Sequence, residues 1–135
     1  MPRNKRHYRV KLQEVLAAHD FALTFGGLRG IRDLGAIEAA VARPYCGYYR
    51  SIAKKVAALV QSLASNHGFI DGYKRTALLM MNLLPLRSGY FLRGESEQQI
   101  NTDVEAMILA LVEHHMSFDD VVAWLELRIA PIGGR

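Results

Sequence analysis

The sequence predicts an all-α, single-domain helical bundle built around a buried central helix. Three observations carry that reading. Apolar residues recur at helical spacing along almost the whole chain. The breaks between periodic stretches are short and marked by glycine, proline or serine. One stretch, Lys74 to Arg87, is apolar on nearly every side, as a helix wrapped by others must be.

Taken in order, Leu12, Val15, Leu16, His19, Ala22 and Leu23 share one face of a first helix. Gly26 and Gly27 in "FGGLRG" end it. A shorter helix runs from Asp33 through "DLGAIEAAVARP" to a stop at Pro44. The stretch "CGYYRS" is a loop. A third helix carries Ile52, Val56, Leu59, Val60 and Leu63 on one stripe. The fourth, Lys74 to Arg87, is the expected central helix, with Pro85 bending its last turns and Ser88-Gly89 closing it. "GYFLRG" reads as a brief extended piece. Ile100, Val104, Met107, Ile108, Leu111 and Val112 mark a fifth helix, and a Ser117 cap with Asp120 three residues on opens a sixth.

A chain of 135 residues suits one domain with a core of its own, and half of its residues are hydrophobic, which argues against a disordered or fibrous class. No repeat or long linker divides it. The expected division is a basic N-terminal tail, residues 1–11, followed by a domain over residues 12–130. The N-terminal charges are followed by no apolar stretch, and no run approaches the roughly 20 apolar residues a bilayer needs, so neither a leader nor a membrane span is expected. The single cysteine, Cys46, fits a reducing cytoplasm.

The net charge of +4 suggests nucleic acid, but its distribution argues otherwise. Arg3, Lys5, Arg6, Arg9 and Lys11 are five of the 17 bases, leaving 12 to face the 13 acids of the body. The tail is expected to be solvated and frayed.

Chemistry concentrates in "SNHGFIDGYKRTALLMMN", Ser65 to Asn82. A loop leading into a helix presents unpaired N–H groups and the positive end of the helix dipole, which is a ready anion site. Gly72 lets the backbone approach a ligand. Lys74 and Arg75 sit in the first turn, where cations are disfavoured unless an anion is bound there. Asp71 beside a phosphate calls for a divalent cation between them, and magnesium is commonly held by a carboxylate plus phosphate oxygens. His67 supplies an imidazole, the side-chain type most often used to activate a hydroxyl nucleophile. Phe69 has the type to anchor the loop in the core. Each residue also has an ordinary structural use, as a cap, a core side chain or a solvated surface charge. Their grouping from His67 to Arg75 is what favours a phosphoryl-transfer or nucleotidyl-transfer site.

"HGFIDGYKRTA" resembles the signature of the Fic/Doc family, and within it the death-on-curing (Doc) toxin branch. That pattern is His, any, Phe, any, Asp or Asn, Ala or Gly, Asn, Lys, Arg, Thr. Upstream, "AAHDFALTFGGLRGIRDLGAIEAAVARP" resembles the family's helix, Gly-Gly-Leu turn and following acidic segment, so the likeness spans roughly Glu14 to Tyr90. It implies a Fic/Doc-like bundle that uses ATP and Mg2+. His67 would be the general base, Asp71 the magnesium carboxylate and Phe69 the loop anchor. Gly72, Lys74 and Arg75 would bind the ATP phosphates. Doc toxins move the γ-phosphate of ATP onto a threonine of elongation factor Tu, halting translation, and a small antitoxin silences them through a C-terminal segment packed on the toxin. The expected partners are therefore a protein with a hydroxyl side chain and a cognate antitoxin.

One position departs: where the motif has Asn at the phosphate site, this chain has Tyr73. Tyrosine either serves in its place, shifts the nucleotide, or impairs the reaction. Nucleotidyl transfer and a catalytically impaired partner-binding module are the alternatives. Elsewhere, His19 reads as a structural histidine, Met80-Met81 as core filling, and His114-His115 as side chains that diverge rather than converge on a metal. Tyr45, Tyr48 and Tyr49 around Cys46 suit either packing or a partner surface.

Overall fold

The structure is a computed structural model and describes residues 7–133. Six helices form the bundle: α1 (Leu12–Leu23), α2 (Leu34–Ala42), α3 (Ile52–Ser65), α4 (Tyr73–Arg87), α5 (Glu97–Val112) and α6 (Phe118–Glu126). A single 3-10 turn, Arg43–Tyr45, follows α2 at the expected Pro44 stop. Side-chain caps close the starts of four of these helices: Asp33 on α2, Ser51 on α3, Ser96 on α5 and Ser117 on α6, the last as a capping box with Asp120.

The bundle has a central rod, but it is α3 rather than α4. Val56, Ala57, Ala58, Leu59 and Val60 are five consecutive residues with no exposure, so α3 is enclosed on every side there. Its alanines let neighbours approach closely, and α2, α4, α5 and α6 all pack on it. The longer apolar run of α4 had suggested that helix. Yet α4 is buried on one side only, through Thr76, Ala77, Met80, Met81, Leu84 and Pro85, while Leu86 stands 59% exposed. The helix continues through Pro85 to Arg87, and the Ser88 N–H closes it onto Leu84 O at 3.1 Å and Pro85 O at 3.0 Å.

Two short strands lie against the bundle. The extended piece anticipated at "GYFLRG" is β1 (Tyr90–Leu92). It pairs antiparallel with β2 (Ile129–Pro131), setting Tyr90 opposite Pro131 and Leu92 opposite Ile129. A three-residue strand is too short for periodicity to mark, so β2 had no sequence signal.

The expected tail needs correction over its second half. Arg3, Lys5 and Arg6 lie outside the described residues, but His7 to Lys11 are folded in. Val10 is 2% exposed and joins the core. Tyr45 clamps this arm with one hydroxyl, accepting from Val10 N–H at 2.9 Å and donating to Tyr8 O at 2.7 Å. Glu14 accepts from the Tyr8 hydroxyl at 2.7 Å and from Arg87 at 2.9 Å, which ties the arm to α1 and the end of α4. Apolar Val10 among five cations is what overrides the local charge.

Removing the Tyr45 hydroxyl strands a backbone donor and an acceptor in a partly buried place. Tyr45→Phe is expected to cost about 1–2 kcal/mol, read as a lower urea midpoint. An unchanged midpoint would show that the two bonds of this hydroxyl add nothing to the fold.

Candidate active site

The loop between α3 and α4, residues 66–72, is held from three sides. At its start Asn66 caps α3, donates its side-chain N–H to Ala36 O of α2 at 2.8 Å, and accepts from Gly68 N–H at 3.1 Å. Next, Gly68 O accepts the N–H groups of Arg32 (2.8 Å) and Asp33 (3.0 Å), while Ile70 N–H donates to Gly30 O at 3.2 Å. The chain before α2 thus lies alongside the loop as a short β-like bridge between Ile31 and Phe69. A Cβ on Gly68 would run into Ile37, so this close approach requires glycine.

The third hold comes from α1. Phe69 is 2% exposed and stacks on His19, ring centroids 3.8 Å apart and planes within 12°. His19, itself buried, donates its Nε2–H to Asp71 O at 2.7 Å. One imidazole therefore anchors both the aromatic and the backbone of the loop. Phe69, expected as the loop anchor, is buried, and its stacking partner is His19, which sequence periodicity could place only on an apolar face.

This frame sets the candidate residues. His67 is exposed and has a left-handed backbone, φ 55°, a conformation that costs a non-glycine residue about 1–2 kcal/mol. Gly72, φ 77°, is the N-cap of α4 and has no side chain to offer. The first helical bond of α4 runs from Thr76 N–H to Gly72 O at 3.0 Å, and the Thr76 hydroxyl donates to the same oxygen at 2.8 Å. The N–H groups of Tyr73, Lys74 and Arg75 are thus left without helical acceptors at the positive end of the dipole. Tyr73 places its ring 6.0 Å from that of His67, at 73°, and the Lys74 ammonium lies 5.9 Å from the same ring.

Asp71 and Arg75 are placed less simply. Each Asp71 oxygen accepts a backbone N–H, from Leu28 at 3.1 Å and from Gly72 at 2.9 Å. These bonds, Leu28 first and Gly72 second, with the Lys74 charge adding to them, hold the carboxyl below its ordinary range. The carboxylate thereby latches the turn after α1 to the loop. Gly27 makes room for it, since a Cβ there would meet Asp71 Oδ2 at 3.1 Å. Arg75 faces another surface. Its guanidinium lies over the Phe25 ring at 4.7 Å and lines an open groove of about 620 Å³ with Phe21, Leu79 and Glu105. His67, Asp71 and Lys74 do not border that groove.

The donor set fits a hard cation that brings most of its own ligands. Among the described residues no three His, Cys, Asp or Glu side chains gather in a metal cluster. A single carboxylate with lone pairs to spare, beside an uncapped helix start, suits magnesium carried in on phosphate oxygens.

A family model described as Fic/DOC family matches residues 9–85. The chain belongs to the Fic/Doc family. The matched span runs from the N-terminal arm through α1, α2, α3 and the loop to Pro85 in α4, so the whole candidate site lies inside it. The chain is also similar to the Toxin Doc of Mycolicibacterium smegmatis, 49% identical over 70 residues. That match covers 48% of this chain and 52% of the relative, so the chain is aligned to about half the length of the curated relative it matches. The all-α architecture agrees with membership of this family.

The Asp71 latch should show in acid. Because its carboxyl is held below the ordinary value in the folded state, the stability it contributes is full above about pH 4 and fades as pH falls through the folded value. Asp71→Asn lacks that contribution at every pH. The gap in urea midpoint between the two proteins is expected to stay level near neutrality and to narrow below about pH 4. A gap that stays constant into acid would show that the latch bonds do not govern the carboxylate.

Proposed function

We propose that this protein is a Doc-like toxin of a toxin–antitoxin pair, and that it moves the γ-phosphoryl group of ATP onto a hydroxyl side chain of a protein target. A translation factor such as elongation factor Tu is the proposed target, and arrested translation the outcome. One observation carries the reading: an exposed histidine, a carboxylate and an uncapped, cation-bearing helix start are gathered on one rigid loop. Membership of the Fic/Doc family and the likeness to a Toxin Doc support it.

In this reading the N–H groups at the start of α4 and the Lys74 ammonium bind the phosphates, with Gly72 letting the backbone close on them. Arg75 flanks that end of the helix from the groove side. Asp71 would hold magnesium, which when bound neutralises phosphate charge. His67 takes the proton of the acceptor hydroxyl. The freed oxygen bonds to the γ-phosphorus as the bond to the bridging oxygen breaks, and ADP leaves with that electron pair. Phe69 and His19 keep the loop from shifting under this load. A cytoplasmic site of action follows from ATP and a translation factor as substrates; among the described residues no helix is long and apolar enough to cross a membrane. The antitoxin is proposed to act by covering this surface.

Tyr73 in the motif's Asn position favours a second reading, nucleotidyl transfer or a partner-binding module without turnover. Incubation with elongation factor Tu and ATP labelled at the α or the γ position separates the three. Label from the γ position is expected to enter the target, and His67→Ala is expected to lower its rate at least about 100-fold. Entry of the α label would assign nucleotidyl transfer instead. No transfer of either label, with an antitoxin still bound, would leave a binding module.

A further inference from the structure

His67 has a fixed root and a free side chain. The backbone on either side is tied down, by Asn66 to Ala36 and by Gly68 to Arg32 and Asp33, so the direction in which the side chain leaves is set. The imidazole itself is exposed and makes no hydrogen bond among the described residues. A proton acceptor must point at its donor within a narrow range of distance and angle, and an imidazole free to rotate spends most of its time elsewhere. Its aromatic neighbour is Tyr73, at 6.0 Å and 73°, the edge-to-face arrangement in which aromatic rings attract.

Tyr73 is suited to be a fixed wall. It is the first residue of α4, half-buried, and packed against the hydrophobic core. Its ring therefore has little freedom of its own. The side chain also leaves the backbone cradle intact, because the Tyr73 N–H at the helix start is offered whatever the residue carries.

We propose that Tyr73 is a positioning residue for His67: its ring is the wall against which the imidazole rests in the direction needed to take a proton. This rests on the reading of His67 as the base. The motif's asparagine has no ring to do this, so the departure at Tyr73 is a different way of building the site rather than a loss from it. The hydroxyl is not required; the ring is.

Three substitutions in the full chain, Tyr73→Phe, Tyr73→Asn and Tyr73→Ala, test it by two readouts. In the transfer assay Ala and Asn are expected to lower kcat roughly tenfold with KM for ATP unchanged, while Phe recovers most of the rate. In carbon–proton NMR spectra the His67 ring protons are expected to be displaced by the Tyr73 ring current. They should stay displaced in Phe and move to free-imidazole positions in Asn and Ala. The spectra need no activity, so a chain that transfers nothing refutes the proposed reaction yet still tests the contact. Ring protons already at free-imidazole positions, or unmoved in both Asn and Ala, would overturn the inference. A faster reaction in Tyr73→Asn would overturn it too, as would a Phe variant as slow as Ala. Asn, smaller and soluble at a helix start, keeps the test open if Ala fails to fold.

Discussion

A single buried imidazole holds the candidate site together. His19 leaves α1 toward the core, stacks its face on Phe69 and donates its Nε2–H to the carbonyl of Asp71. A buried polar group without a partner is costly, so this hydrogen bond is made or the histidine cannot stay inside. Because both contacts fall on the same short loop, α1 sets the path of residues 69–71. That path brings Gly72 to the left-handed turn from which α4 starts.

The rest of the loop follows the same logic of borrowed support. A segment with no regular structure must find partners for its backbone groups, and here the chain before α2 supplies them through Gly30, Arg32 and Asp33. Glycine appears where backbone meets backbone or side chain at close range, at Gly68 against Ile37 and at Gly27 against Asp71. The result is an irregular loop that is stiff enough to carry His67 in a left-handed conformation it would not choose alone.

Electrostatics sets α4 apart from its neighbours. Four helices of the bundle are capped by a Ser or Asp side chain, while α4 begins on glycine and follows it with Lys74 and Arg75. For stability alone this is a poor start, since unpaired N–H groups, the helix dipole and two cations have the same sign. Arg75 relieves part of the conflict by lying over Phe25, and Lys74 by approaching Tyr73. An anion bound there would relieve the rest. The local rule is broken where the proposed chemistry is, as is usual for functional sites.

Helix number, the motif from His67 to Arg75 and the turns at Gly26-Gly27 and Ser117 were legible from spacing and residue type, because amphipathic periodicity and caps are local properties. The central helix was misjudged: alanine is a weak hydrophobic signal, and only packing reveals that Ala57 and Ala58 are enclosed while Leu86 is not. The arm at Tyr8 and Val10 was hidden among charges, and β2 was too short to announce itself. In the site, residue types alone nominated the base, the carboxylate and the cations. Tertiary structure alone decided that Asp71 grips Leu28, that His19 anchors Phe69 and that Arg75 turns to a groove away from Lys74. The reason is distance along the chain. His19 and Asp71 are 52 positions apart, and a hydrogen bond between them exists only once helices have packed.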